Sequence, residues 1–377
     1  MKIAIVTRKM IIGGVEKALV GMLRKMSSMD EVDLYVEQAG GELFGEIPSW
    51  VRVVEMPRKG DKNNKTLKEK LSTLIIRLRL HCCKTYSCQC ELSALVFPKI
   101  MKEYDLAIAY HAPNTIPVFY VANNLNARKK VLWLHGDVES NQMTGTLARK
   151  YYKCYDHIFT VSKQTKEIFD FYFPELSKRS QVFYNIIDDT YLKGMAEVAP
   201  TYTDEFTGVR ILTIGRLDFQ KGIDRAIETC RRLIECGISV RWYVCGEGEE
   251  REKIEALVST YCLKSDFVLL GNQKNPYGYL RDCDIYVQPS RTEGFCTATN
   301  EARIFGKAVV VTNVCGMKEQ FVSEKTGIIC DNDIESLFEN IKRLIKNPEL
   351  RFTLSQNVKR VDLKNDIQRL YQIAMND

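Results

Sequence analysis

The alternation of short apolar strands with helices, run through twice, constrains this chain more than any other feature. In the first half "KIAIVT", "VDLYVE", "VRVVEM", "DLAIAY", "KKVLWLH", "HIFTVS" and "QVFYNI" are β-branched and mostly apolar. Helical periods fall between many of them, at Val15–Met26, Leu67–Leu80, Leu92–Lys102 and Gln164–Tyr172. The second half repeats the pattern with "VRILTIG", "VRWYVCG", "FVLLG", "IYVQP", "AVVVT" and "GIIC". Strands that are apolar on both faces and alternate with helices belong in parallel sheets covered on both sides. The expected fold class is α/β, with two Rossmann-like, doubly wound domains. The period breaks in the polar stretch Asp188–Gly208, which marks the boundary. The expected domains are 1–190 and 205–360, with a helical segment in 361–377 placed to cross back onto the first. Open parallel sheets bind ligands at the carboxyl ends of their strands, so two such domains facing each other make a cleft.

Composition narrows the setting. The 377 residues suit two domains, and 45% hydrophobic with 27% charged residues is a soluble globular profile. No apolar run approaches the ~18–20 residues that span a bilayer. "MKIAIVTRKM" is charged too early for a signal peptide, so a cytoplasmic protein is expected. The thirteen cysteines are scattered and read as reduced thiols, including the cluster His81–Cys90, which has no Cys-x-x-Cys pair and fits zinc poorly. Charge is uneven. Pro57–Tyr86 holds nine basic residues against two acidic ones. Within it Leu67–Leu80 reads as a basic amphipathic helix. Such a helix either packs with a solvated basic face or lies on an anionic membrane surface. It lacks the interleaved aromatics of a nucleic-acid site.

The residues that suggest chemistry sit at strand ends. Gly13 and Gly14 precede a helix, where free N–H groups and the dipole suit an anion; a tight turn explains them equally well. "LTIGRLDFQKGID" sets Gly215, Arg216 and Lys221 in one loop. Arg and Lys together suit a diphosphate, and a solvated basic loop is the alternative. "VCGEGEEREKI" lacks the third glycine of a dinucleotide fingerprint and is not read as one. His135 in "VLWLHGDVES" ends a strand, with His111 the runner-up; each fits a substrate contact or a structural imidazole. "SRTEGFCTATNEA" places Glu293 in a loop and Glu301 on the following helix, with Thr297 as the expected N-cap. Carboxylate, anion-binding amides and carboxylate in series would match a nucleotide sugar. Paired carboxylates also serve glycoside hydrolysis, but the adjacent basic loop argues against that.

On these motifs the sequence resembles the retaining, nucleotide-sugar-dependent glycosyltransferases of family 4, whose GT-B fold has two facing Rossmann-like domains and a donor cleft. The resemblance rests on "GRLDFQKGID", "CGEGEER", "LGNQKNPYGYLRDCDIYVQPSRTEGF", Glu-x7-Glu and "GKAVVVTNVCGMKEQFV". It continues more loosely through "GGVEKAL", "LHG" and "VSK". It implies that Arg216 and Lys221 bind the donor diphosphate, Glu293 the transferred sugar, and Glu301 the ribose. Gly14 and Gly215 would bring backbone to the donor, amides at Thr297 and Ala298 would complete the phosphate cradle, and His135 would sit near the sugar. No metal and no cofactor are implied; the nucleotide sugar is a substrate. The chain departs from the family pattern at Cys296, where a glycine is usual, and after Asn185, where a glycine is lost. The expected activity is transfer of a hexose from a UDP-sugar, or GDP-mannose second, to a saccharide or lipid-linked saccharide in cell-surface polysaccharide biosynthesis. Rival readings are a nucleotide-sugar epimerase on the same fold and a non-catalytic nucleotide- or lipid-binding scaffold.

Overall fold

A computed structural model describes residues 1–56, 83, 85–136, 145–359 and 367–375. The expected basic helix Leu67–Leu80 lies outside the described residues. The chain divides into two units, Met1–Ile187 with Asn365–Asp377, and Asp188–Lys364.

Among the described residues the first unit has seven strands: β1 (Lys2–Thr7), β2 (Glu31–Val36), β3 (Arg52–Glu55), β4 (Ile100–Ala112), β5 (Leu125–Leu134), β6 (His157–Thr160) and β7 (Ser180–Val182). They form one sheet in the order β3-β2-β1-β4-β5-β6-β7, with every neighbouring pair parallel. β1 is buried from Ile3 to Thr7 because both its faces carry helices, which is why its sequence does not alternate.

Several local features differ from the sequence expectation. The helix expected at Leu92–Lys102 runs instead over Tyr86–Val96; Pro98 follows, and Ile100 opens β4. The helix Ile116–Asn124 is not marked in the sequence because it is buried nearly all round and has no polar stripe. Cys83 and Cys88 are joined as a disulfide across the turn capped by Thr85, where free thiols are expected.

Asp33 on β2 is fully buried and anchors a polar network. It accepts from Arg52 Nε at 2.7 Å, Arg52 Nη2 at 3.1 Å, Lys102 Nζ at 2.6 Å and Tyr104 OH at 2.6 Å. Burial opposes its charge, but the bonds from Lys102, Tyr104 and Arg52 outweigh that and hold the carboxyl below its ordinary range. The helix Gln368–Met375 packs on this unit. Tyr371 donates to Asp30 Oδ2 at 2.6 Å and accepts from the Ser27 N–H at 2.9 Å, and Arg128 donates to Ala374 O at 2.9 Å.

Among the described residues the second unit has six strands: β8 (Val209–Ile214), β9 (Val240–Cys245), β10 (Phe267–Gly271), β11 (Ile285–Gln288), β12 (Ala308–Thr312) and β13 (Ile328–Cys330). Their order is β10-β9-β8-β11-β12-β13, again parallel throughout. The polar stretch after Asp188 is not a bare connector. Asp188 caps a helix over Asp189–Glu197, which is held to this unit by Asn275 donating to Met195 O at 2.9 Å and Arg281 to Ala196 O at 2.8 Å. Nine residues are too few to show a sustained period in the sequence. Among the described residues, no helix is long and apolar enough to cross a membrane.

Candidate active site

Each sheet reverses its strand order once, between β1 and β4 in the first unit and between β8 and β11 in the second. Connections leave such a pair in opposite directions and open a crevice at the carboxyl ends. The expected site residues gather at these two places.

In the second unit β8 ends at Ile214 and leads into Gly215, Arg216 and a short turn over Phe219–Lys221. Asp218 caps that turn, its Oδ1 accepting the Lys221 N–H at 3.0 Å. The "CGEG" loop braces it from below. Gly215 N donates to Cys245 O at 3.0 Å and Leu217 N to Glu247 O at 2.9 Å. A Cβ on Gly246 would lie 1.8 Å from Gly215 O. That glycine therefore serves loop-on-loop packing.

β11 ends at Gln288, and the loop beyond it presents Glu293 to Lys221. Lys221 Nζ donates to Glu293 Oε1 at 2.7 Å and Oε2 at 2.8 Å. Burial works against the Lys221 charge, but the Glu293 carboxylate outweighs it and holds the ammonium above its ordinary pKa. Glu293 is buried and accepts a second bond on Oε1, from Ser290 Oγ at 2.7 Å. Ser290 is itself fixed by Thr312, whose hydroxyl donates to Ser290 O at 2.5 Å. Arg291 ties the two loops together, with its guanidinium on Asp224 at 2.8 and 2.6 Å, on Phe219 O at 2.8 Å and over the Phe219 ring at 4.0 Å.

The other expected residues are placed differently. Arg216 is not on this pair; its exposed guanidinium meets Asp218 at 3.1 Å. Thr297 is not the N-cap. The helix runs over Thr297–Ile304 with Cys296 in the cap position, and Thr297 is its first residue. Thr299 makes the local backbone contact instead, with its hydroxyl 2.8 Å from Cys296 O. Glu301 is buried and accepts from Tyr277 OH at 3.2 Å. Ala298 is half-buried on the same first turn, and Gly215 lies 3.5 Å, by an added Cβ, from the Lys221 stem.

In the first unit the helix Gly14–Lys25 begins beside the carboxyl end of β1. Glu16, its third residue, folds back over the start, so that a Cβ on Gly13 would meet Glu16 Oε2 at 2.4 Å. His111 Nδ1 stands 3.8 Å from Glu16 Oε1. His135, at the end of β5, packs against Tyr110 at 4.6 Å and stacks parallel to Trp133 at 5.9 Å between ring centres. Its ring nitrogens are shielded from solvent, and neither has a hydrogen-bond partner among the described residues. Burial, with His111 adding to it, pushes the His135 pKa well below its ordinary value.

Burial, then Arg8, pushes the His111 imidazole down to about 4. The unfolded chain takes up that proton near the ordinary value of 6.5 and the folded chain only near 4. The His111 contribution is therefore complete above pH 6.5 and is lost as pH falls through that window. It amounts to roughly 3 kcal/mol. Denaturant unfolding of wild type and His111→Asn between pH 7 and 4 checks this: the variant should lose the steeper part of the acid slope, and parallel slopes would refute it.

Sequence reasoning does not mark Ser290, Gln288, Tyr286, Glu16 or the Asp224–Arg291 tie. A glutamine inside the buried strand "IYVQ" is a legible signal for the first group, and a glutamate at the third position of a helix is one for Glu16. Nothing local signals Asp224–Arg291, since its partners are far apart in the chain.

The family model described as glycosyl transferases group 1 matches residues 206–361. The chain is 30% identical over 178 residues to N-acetylgalactosamine-N,N'-diacetylbacillosaminyl-diphospho-undecaprenol 4-alpha-N-acetylgalactosaminyltransferase of Campylobacter jejuni, covering 46% of each chain. It is 28% identical over 162 residues to the capsular polysaccharide biosynthesis glycosyltransferase CapM of Staphylococcus aureus, covering 42% of this chain and 43% of that one. The chain spans about half the length of the curated relatives it matches. Among solved structures, Anabaena HepE in complex with UDP matches with a TM-score of 0.69 at 17% identity, over 99% of this chain and 98% of that one. That likeness establishes the fold, which is GT-B.

Proposed function

Because residues 206–361 match the family model described as glycosyl transferases group 1, on a chain of GT-B fold, we propose that this protein is a retaining, metal-independent glycosyltransferase. It moves a hexose from a UDP-sugar, with GDP-mannose second, to a saccharide or lipid-linked saccharide in cell-surface polysaccharide biosynthesis. The observation that carries the reading is the Lys221–Glu293 pair, 2.7 Å apart at the carboxyl ends of β8 and β11. Departure of a nucleoside diphosphate puts negative charge on its phosphates. A fixed cation there lowers the barrier because it needs no reorganisation. Lys221 and Arg216 supply that charge, which is why no metal is invoked.

In this reading Glu293 holds hydroxyls of the transferred sugar and Glu301 those of the ribose. The amides at Thr297 and Ala298 and the backbone at Gly215 and Gly14 receive the diphosphate. His135 is assigned to the sugar on the family resemblance alone, since its ring nitrogens are shielded from solvent where they stand. HepE is solved with UDP, and the Campylobacter relative's name specifies a diphospho-undecaprenol acceptor; both support the substrate classes chosen.

A thermal-shift screen of UDP, GDP and ADP tests the donor class. A ligand bound only by the folded state raises the Tm, by a stabilisation of ~2.7 kcal/mol at a hundred times its Kd. UDP should give the largest shift. A larger shift with GDP would reassign the donor, and no shift with any of the three would overturn the proposal.

A further inference from the structure

β11 is buried along its whole length, yet two of its four residues are polar. Tyr286 and Gln288 are both fully buried inside a parallel sheet, where an apolar pair would carry no desolvation cost. Their polar atoms form a chain that ends on Glu293. Tyr286 OH lies 2.7 Å from Gln288 Oε1, Gln288 Nε2 lies 3.0 Å from Ser290 Oγ, and Ser290 Oγ lies 2.7 Å from Glu293 Oε1.

The proton direction along this chain is dictated by the groups themselves. An ionised carboxylate only accepts, and an amide nitrogen only donates. Ser290 has a single hydroxyl proton. With Gln288 Nε2 donating to its oxygen, that proton is left for Glu293. The opposite orientation of the amide would draw the Ser290 proton away and set Ser290 oxygen against carboxylate oxygen. Tyr286 completes the chain: its hydroxyl lies 2.7 Å from Gln288 Oε1 and 3.5 Å from Ile214 O, and once Ser290 and Glu293 have set the amide it donates to Gln288 Oε1. Burial pushes the Tyr286 phenol well above its ordinary pKa, so the proton it donates stays on it.

We infer that Tyr286 and Gln288 are positioning residues for Glu293, acting through Ser290 to fix which face of the carboxylate meets the substrate. Ser290 and Lys221 both bond Oε1, and Lys221 alone bonds Oε2 among the described residues. Oε2 therefore retains the greater accepting capacity for a sugar hydroxyl. The inference rests on the proposed role of Glu293 at the transferred sugar, and it adds the device that aims it.

The test uses the full chain as wild type, Gln288→Leu, Ser290→Ala, their combination, and Ser290→Thr. Leucine and alanine fill the space without the bond, and threonine restores the hydroxyl. Crystal structures report where Glu293 points. UDP binding is measured by calorimetry, and turnover by release of UDP from UDP-glucose. Expected are a displaced or split Glu293 side chain in Gln288→Leu and Ser290→Ala, and kcat about tenfold lower with UDP affinity unchanged. Ser290→Thr should recover most of the rate. The double variant should be no slower than Ser290→Ala alone, because Gln288 acts only through Ser290. An unmoved Glu293 in Gln288→Leu, or losses that multiply in the double variant, would overturn the inference. Wild type that neither binds UDP nor turns over UDP-glucose would defeat the functional reading instead, while the Glu293 positions in the variants would still decide the positioning role.

Discussion

Glu293→Gln should lower turnover by about 10²–10³-fold while leaving the fold intact. Glutamine keeps the shape and can still reach Ser290, so packing around β11 survives. What is lost is the negative charge that Lys221 meets at 2.7 and 2.8 Å. Burial opposes the Lys221 charge and Glu293 offsets it, so without the carboxylate the ammonium falls back in pKa. The variant then has a poorer sugar-binding group and a less certain cation at the leaving diphosphate. UDP affinity should hold or rise, since a negative charge has been removed from the neighbourhood of its phosphates. Steady-state kinetics beside UDP calorimetry separates these terms. Turnover within a few-fold of wild type would remove Glu293 from the chemistry.

Asp33→Ala should destabilise the first unit by about 3–5 kcal/mol. The substitution strips the common acceptor from Arg52, Lys102 and Tyr104 at once. Arg52 is largely exposed and can return to water, and Lys102 keeps Glu31 at 2.6 Å. Tyr104 is buried and, among the described residues, keeps only Tyr35 OH as a hydrogen-bond partner, at 2.7 Å, so much of the cost falls there. Adding Tyr104→Phe to Asp33→Ala should therefore recover part of the loss. The wild-type network also has an acid limit. Its carboxyl is held low, so its stabilisation is present above the ordinary value of 3.8 and disappears as pH falls through the lower folded value. Urea unfolding of the three proteins at pH 7 is the measurement. A loss under about 1 kcal/mol would mean that the network is no more than a surface ion pair.

The two sheets were legible because a doubly covered parallel strand leaves a plain mark, an apolar run such as "AVVVT" that no half-exposed strand would carry. Helices were less so. Ile116–Asn124 is hidden because burial on all sides removes the stripe, and Asp189–Glu197 because it is short and polar. At the site, Lys221 and Glu293 could be singled out as residue types in strand-end loops. Their pairing across 72 positions could not, since it depends on β8 and β11 lying side by side. Thr297 is expected as the cap because a hydroxyl is the usual cap residue, but the helix already begins at Thr297 and the cap position falls one residue earlier, at Cys296. The buried tyrosine and glutamine of β11 were in plain view, and only their hydrogen-bond partners give them meaning.

The first unit is split in the chain, with Asp188–Lys364 set between its main body and the helix Gln368–Met375. This order has a consequence for folding during synthesis. The second unit is a continuous run of sequence and can complete its sheet as soon as it clears the ribosome. The first must wait, with the Asp30, Ser27 and Arg128 sites uncovered, until Tyr371 and Ala374 have emerged behind the whole of the second. The part made first is thus the part finished last. During that interval a helix-sized surface that the mature fold buries under Leu370 and Ala374 stands open to solvent and to chaperones.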